Sequence, residues 1–115
     1  MNSMKTYPDI NQCKKLAEIL PLKSADMGLY YSCNTLAASN QMWVGTKPEN
    51  ADIPCWSLAA LLDIIPYPTL GKHADETWSC ASWIEKVNPY FVEGCDSPIN
   101  ACYEMILKLH ELNLL

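Results

Sequence analysis

Apolar residues recur at helical spacing in three stretches of the chain and alternate in several others. From Pro8 to Leu20, Ile10, Cys13, Leu16, Ala17 and Leu20 share one side, while Asn11, Lys14, Lys15 and Glu18 take the other. That spacing predicts an amphipathic helix. Pro8 suits its first turn, where a missing N–H costs nothing, and Pro21 stops it. The second stretch, IPCWSLAALLDIIPYP at residues 53–68, is apolar almost throughout. It predicts a helix over Cys55–Ile65, with Ser57 as N-cap or Pro54 at the first helical position, and Pro66 at its end. Its eleven residues give about 16 Å of helix, too short to cross a bilayer core about 30 Å thick. A short helix that is apolar nearly all round is expected to be covered on most sides.

The third stretch, DSPINACYEMILKLHELNLL, has the strongest pattern. Asp96 or Ser97 is the expected cap and Pro98 the first-turn residue. Asn100, Glu104, Lys108 and Glu111 form a polar stripe, and Ile99, Cys102, Tyr103, Ile106 and Leu109 an apolar one. Glu104 and Lys108 stand at a favourable i,i+4 spacing. Between the helices the period shortens. DMGLYYSCNTLA and NQMWVGT read as two strands with Ser39-Asn40 near their turn, followed later by ETWSCASWIEKV and PYFVEG. Gly45–Ala51 and Pro66–Asp75 read as loops. The order is α-β-β-α-β-β-α, a single α+β domain over residues 1–115 with about three helices on a mostly antiparallel sheet. No internal repeat is evident.

Composition narrows the function classes. The hydrophobic fraction is 50% and the charged fraction 18%, which is globular rather than disordered. The net charge is -5 and arginine is absent, so neither phosphate contacts nor bidentate guanine readout is supported. Nucleic acid is therefore not an expected partner. The thirteen acidic residues are dispersed, which also disfavours mimicry of DNA. MNSMKTYPD has no apolar signal core, and a cytoplasmic location with no membrane association is expected. Cys13, Cys33, Cys55, Cys80, Cys95 and Cys102 are widely spaced with no C-x-x-C. Buried free thiols that pack as small apolar residues are expected.

Candidate chemistry is sparse. GKHADETW brings His73, Asp75 and Glu76 together, residue types that ligate zinc or share protons, but in a turn-rich segment without helical spacing to aim them. His110 borders the apolar stripe of the last helix. There is no G-x-S-x-G and no glycine-rich phosphate loop, the glycines at 28, 45, 71 and 94 being isolated. Cys80 and Cys95 are the candidate reactive thiols. No catalytic, cofactor-binding or metal-binding residue and no cofactor is predicted. The aromatic residues are more informative. Trp78 and Trp83 lie five positions apart, so a regular strand points them to opposite faces. One is expected to face outward and, with Tyr67 or Tyr90, to anchor a partner.

IPCWSLAALLDIIP, TWSCASWIE and above all DSPINACYEMILKLHELNLL resemble segments of a group of small proteins encoded in human-gut Bacteroides genomes and their prophages. In that group a Trp-Ser-Leu helix precedes sheet strands, and a Pro-Ile-x-Ala-Cys-Tyr-Glu helix closes the chain. The resemblance spans the second half well and the first half loosely. It implies a cytoplasmic bacterial or phage accessory protein, with no catalytic residues to carry over. The expected role is association with a protein partner or with itself. The competing classes are a small Cys- or His-dependent enzyme and a dimeric nucleic-acid-associated regulator.

Overall fold

A computed structural model describes residues 6–31, 42–45 and 48–115. The elements run α1 (Ile10–Ile19), β1 (Met27–Tyr31), β2 (Met42–Gly45), β3 (Ile53–Cys55), α2 (Leu58–Ile64), β4 (Pro68–Lys72), β5 (Trp78–Ser82), β6 (Tyr90–Cys95) and α3 (Pro98–Glu111). Single 3-10 turns stand at Leu22–Ser24 and Pro48–Asn50. The fold is α+β, in the predicted helix and strand order, with the short strands β3 and β4 added. The strands form two three-stranded sheets, β2-β1-β3 and β4-β5-β6, with every pairing antiparallel. Contacts divide the described residues into two compact units, Pro8–Ser57 and Leu58–Leu115, the latter with Thr6 and Tyr7. The predicted turn at Ser39-Asn40 lies outside the described residues.

In the first unit α1 begins with a reciprocal cap. Asp9 accepts a hydrogen bond from the Gln12 N–H at 2.8 Å, and the Gln12 side chain accepts one from the Asp9 N–H at 3.0 Å. Two of the donors that a helix start leaves open are thereby satisfied. Pro8 precedes this cap, so it lies before the first turn rather than in it. Cys13 and Leu16 face inward, and α1 packs on β3. The core gathers Cys13, Leu29, Ile53 and Cys55, flanked by Ile10 and Met27.

The predicted Cys55–Ile65 helix is corrected here, because its first residues belong to β3. Ile53 and Cys55 are buried and Pro54 between them is half-buried, an alternation of period two. Proline is tolerated because β3 is an edge of its sheet, where one backbone side needs no ladder partner. Trp56 follows, fully buried, and its indole N–H donates to Ser24 Oγ at 3.0 Å. Ser24 in turn donates to the Pro21 carbonyl at 2.6 Å. A large apolar side chain is thus buried with its one polar atom satisfied. Ser57 is fastened through its N–H to Asp26 Oδ1 at 2.8 Å and through its hydroxyl to Asp26 Oδ2.

In the second unit α2 is shorter than predicted and less enclosed. Leu61 and Ile65 are buried, whereas Ala59 and Asp63 are exposed and Leu62 is half-buried. The segment is a one-sided helix that packs on α3. α3 is the principal cover of the β4-β5-β6 sheet. Ser97 is its N-cap, accepting from the Asn100 N–H at 3.1 Å, with Pro98 directly after it. Asp96 instead takes the Asn100 side-chain amide. Ile99, Cys102, Met105, Ile106 and Leu109 are all fully buried, each large aliphatic contributing about 1.5–3 kcal/mol. Tyr103, predicted in the apolar stripe, is half-buried. Lys108, predicted to pair with Glu104, donates to the Phe91 carbonyl oxygen at 2.9 Å. The helix closes with Asn113 at φ 58, the Asn113 N–H bonding the His110 carbonyl and the Leu114 N–H bonding the Leu109 carbonyl. That is a Schellman closure with asparagine in the left-handed position.

The predicted Pro66–Asp75 loop contains β4, which pairs along β5 from Pro68↔Ser82 to Lys72↔Trp78. Pro68 and Gly71 read as turn residues, yet proline is compatible with the first position of an edge strand. On the other side of β5 the register slips between Cys80↔Val92 and Trp78↔Cys95. Gly94, at φ 75, supplies the extra residue of this bulge, a conformation that costs glycine no steric penalty.

Leu61 tests the packing of α2. Leu61→Asp places an unpaired carboxylate at an enclosed position and is expected to cost on the order of 4 kcal/mol. Ala59→Asp, on the exposed side, is expected to change stability by about 0.5 kcal/mol or less. Urea unfolding followed by circular dichroism distinguishes them, and equal midpoints would place α2 differently.

Candidate association surface

β5 is the central strand of its sheet, so its alternation assigns residues to two faces. Cys80 belongs to the face that α3 covers: it is fully buried, β5 packs on α3, and the Cys102 thiol on that helix is the chief influence drawing the Cys80 thiol down. Ser79, Ala81 and Trp83 therefore belong to the opposite face. The register places Thr69 and Phe91 on either side of Ala81, and residues directly paired across a sheet share a face. Trp83 lies just past the end of β5. Its indole N–H donates to Thr69 Oγ1 at 3.0 Å, and its backbone N–H donates to the Tyr67 carbonyl oxygen at 3.1 Å. Trp83 is 40% exposed, Phe91 42% and Tyr67 74%.

Tyr67 is the unusual member. It stands between Pro66 and Pro68 in the link from α2 to β4 and has φ 45. Pro68 disfavours the right-handed helical region for the residue before it. The left-handed region it occupies is unfavourable for a side chain with a Cβ by roughly 1–2 kcal/mol. The conformation is held by the α2–β4 connection: Ser82 Oγ donates to the Pro66 carbonyl at 2.6 Å, and Trp83 N–H takes that of Tyr67. An exposed tyrosine is thus linked through its backbone to a tryptophan whose indole is fixed by Thr69. Trp78, by contrast, is half-buried, with the Lys72 ammonium 5.9 Å from its ring centroid, within cation–π range. The outward tryptophan is Trp83, and its companions are Tyr67 and Phe91. Tyr90 is half-buried. Phe91 was not singled out by the sequence, although its position in PYFVEG alternates with the half-buried Tyr90 and Val92.

The other candidates take structural roles. His73, Asp75 and Glu76 form the β4–β5 hairpin turn. The Glu76 N–H bonds the His73 carbonyl at 2.9 Å and Glu76 has φ 70, a tight turn ending in a left-handed residue. Asp75 Oδ1 accepts from the Thr77 hydroxyl at 2.7 Å and from the Thr77 N–H at 3.0 Å. These bonds, the hydroxyl first, hold the Asp75 carboxyl below the usual aspartate range. His110 is exposed near the end of α3. Among the described residues no group of three or more His, Cys, Asp and Glu side chains is arranged to hold a metal ion. An open hollow of about 490 Å³ in the first unit is lined by Leu22, Lys23, Ala25, Pro48 and Glu49. No helix among the described residues is long and apolar enough to cross a membrane.

The described cysteines are free thiols; Cys13, Cys55, Cys80 and Cys102 are buried and Cys95 half-buried. The Cys95 thiol is pushed up by burial and then by the charges of Glu104 and Asp96, opposite to the activation a nucleophile requires. Cys80 is drawn down by its bond with Cys102, but its sulfur is inaccessible to solvent. Comparison of the chain with family models, curated proteins and solved structures gives no match.

Asp75 offers a pH test of the hairpin turn. Its folded pKa lies below the unfolded value, so its contribution to stability is present above about pH 4 and is lost as pH falls through the folded pKa. Thr77→Val is expected to move the Asp75 titration, followed by carbonyl chemical shift, upward toward the ordinary aspartate value. An unchanged titration would remove the hydroxyl as the cause.

Proposed function

We propose that the protein acts by association, its β4-β5-β6 face docking onto a protein surface through Tyr67, Trp83 and Phe91. The observation that carries this reading is the exposed Tyr67 ring, held at φ 45 and backbone-linked to Trp83. The strain of that conformation is not offset by burying the ring within its own chain. Burial against a partner supplies the missing return, and tyrosine and tryptophan are the side chains most often found at the energetic centre of interfaces. Glu85, Lys86 and Glu93 are exposed near the same strands, a mixed-charge rim around an aromatic centre of the kind protein interfaces have. The net charge of -5 without arginine favours a protein over a nucleic acid as the occupant. The resemblance of the closing helix to proteins of gut Bacteroides and their prophages supports the role of a cytoplasmic accessory factor without catalysis.

A second copy of the chain is the first occupant to test, because a self-complementary patch closes by two-fold symmetry without another component. Sedimentation of the purified chain, with pulldown from the native host in parallel, is expected to give a dimer or a stoichiometric partner. Trp83→Ala should weaken the complex at least tenfold. Tyr67→Gly removes the backbone strain, so it should keep or slightly raise the melting temperature while weakening association. A monomer with no stoichiometric partner, or variants that assemble like the parent chain, would refute the proposal.

A further inference from the structure

The hydrogen bonds of the β4-β5-β6 sheet assign each backbone group a direction. In an antiparallel ladder, successive residues of a strand turn their N–H and C=O alternately toward one neighbouring strand and away from it. At one end of the β4–β5 pair the Trp83 N–H bonds the Tyr67 carbonyl at 3.1 Å, and at the other the His73 N–H bonds the Thr77 carbonyl at 2.8 Å. Counted by twos along the register, Ser79 and Ala81 also turn toward β4, so Cys80 and Ser82 turn toward β6. Their partners across that second ladder are Val92 and Tyr90. Phe91, between those two, therefore turns its N–H and C=O away from β5. β6 is an edge of the sheet, so both groups lie on the side where a further strand would add.

That side is taken by a lysine. Lys108 Nζ donates to the Phe91 carbonyl oxygen at 2.9 Å, reaching it from the helix that packs on β6. The neighbouring outward positions are also unsuited to pairing. Pro89, just before the strand, has no N–H to offer. Beyond Phe91 the ladder is interrupted by the bulge at Gly94, which bends and twists the strand. Proline, a bulge and a lysine are the devices that keep sheet edges from pairing with other chains. We propose that Lys108 is an edge guard: its ammonium closes β6 to strand addition, so that the sheet is not extended through this edge by a second copy of the chain.

The guard acts in two ways. An incoming strand has to offer its own N–H to the Phe91 carbonyl, and so displace a donor whose full charge makes the stronger bond. It also has to cover the ammonium or push it aside, and a charge buried without a partner is costly. The guard is separate from the aromatic surface, because the Phe91 ring belongs to the face away from α3 and only its carbonyl is held by Lys108. Association through that face leaves the edge closed.

The test compares the full chain with Lys108→Met, which keeps an unbranched stem and good helix propensity but has no donor, and with Lys108→Arg, which retains one. Both are also made in the Trp83→Ala background, so that assembly through the edge is read apart from assembly through the aromatic face. Sedimentation velocity over a range of concentrations gives the assembly state, and amide hydrogen exchange gives the place. Lys108→Met is expected to assemble at a concentration roughly tenfold or more below the parent, with or without Trp83, and Lys108→Arg to behave as the parent does. The Phe91 amide should exchange quickly in the parent and become protected in the Lys108→Met assembly. The Leu70 amide, turned outward on the β4 edge by the same counting, should not change. A Lys108→Met chain that sediments like the parent, an assembly that leaves the Phe91 amide unprotected, or a parent whose Phe91 amide is already protected would each overturn the proposal. Lys108→Ala gives a second reading of the lost donor, and failure of both variants to fold would make Lys108 a packing residue and overturn it as well.

Discussion

A three-stranded sheet has two faces, and each unit of this chain supplies one long helix to cover one of them. The burial of α3 against β4-β5-β6 makes that constraint concrete. Ile99, Cys102, Met105, Ile106 and Leu109 are removed from water on a single face, and α2 adds a shorter apolar side from the flank. The apolar stripe is continuous, so the sheet closes firmly on that side. The opposite face receives no helix of its own unit, and it carries Thr69, Ala81, Trp83 and Phe91. The aromatic surface follows from the economy of the architecture.

Local polar bonds fix how each helix is presented to its sheet. The Asp9–Gln12 cap starts α1, the Ser97 cap starts α3, and the Asn113 closure ends it. Where the core requires a large residue with a polar atom, the chain supplies a partner, as Ser24 does for Trp56. No buried side-chain nitrogen or oxygen among the described residues lacks a hydrogen bond, as expected of interiors in which unmade bonds are costly. A buried thiol follows the same rule in weaker form, Cys13 Sγ donating to the Pro8 carbonyl oxygen at 3.5 Å.

Tyr67 departs from this internal economy. Its backbone is strained, its ring is exposed, and its carbonyl is tied to Trp83. Strained conformations persist where the surrounding structure over-determines them. Here the constraints are a proline on each side and the bonds that Ser82 and Trp83 make to the α2–β4 connection. The result is a rigid aromatic presentation on a small sheet, with little conformational entropy left to lose on binding.

The helices were legible in the sequence wherever one face differed from the other over several turns, as in α1 and α3. The α3 cap was legible from Ser97 and Pro98 and the end of α1 from Pro21, whose effects act within one turn, whereas the Asp9–Gln12 cap of α1 was hidden behind Pro8, which looks like a first-turn residue. IPCWSLAALLDIIPYP was misread because an uninterrupted apolar run carries no period; a buried edge strand, a tryptophan and a short helix look alike when all are greasy. β4 escaped notice because Pro68 and Gly71 signal turns, and only pairing with β5 makes an edge strand of them. That Trp78 and Trp83 would lie on opposite faces followed from their five-residue spacing, and that one would face outward followed only if helices covered a single face. Which one it is, and that Phe91 and a strained Tyr67 are exposed on the same side of the chain's second unit as candidates to join it, was decided by tertiary structure. Register and face depend on contacts between residues far apart in the chain, and local preference carries no record of them.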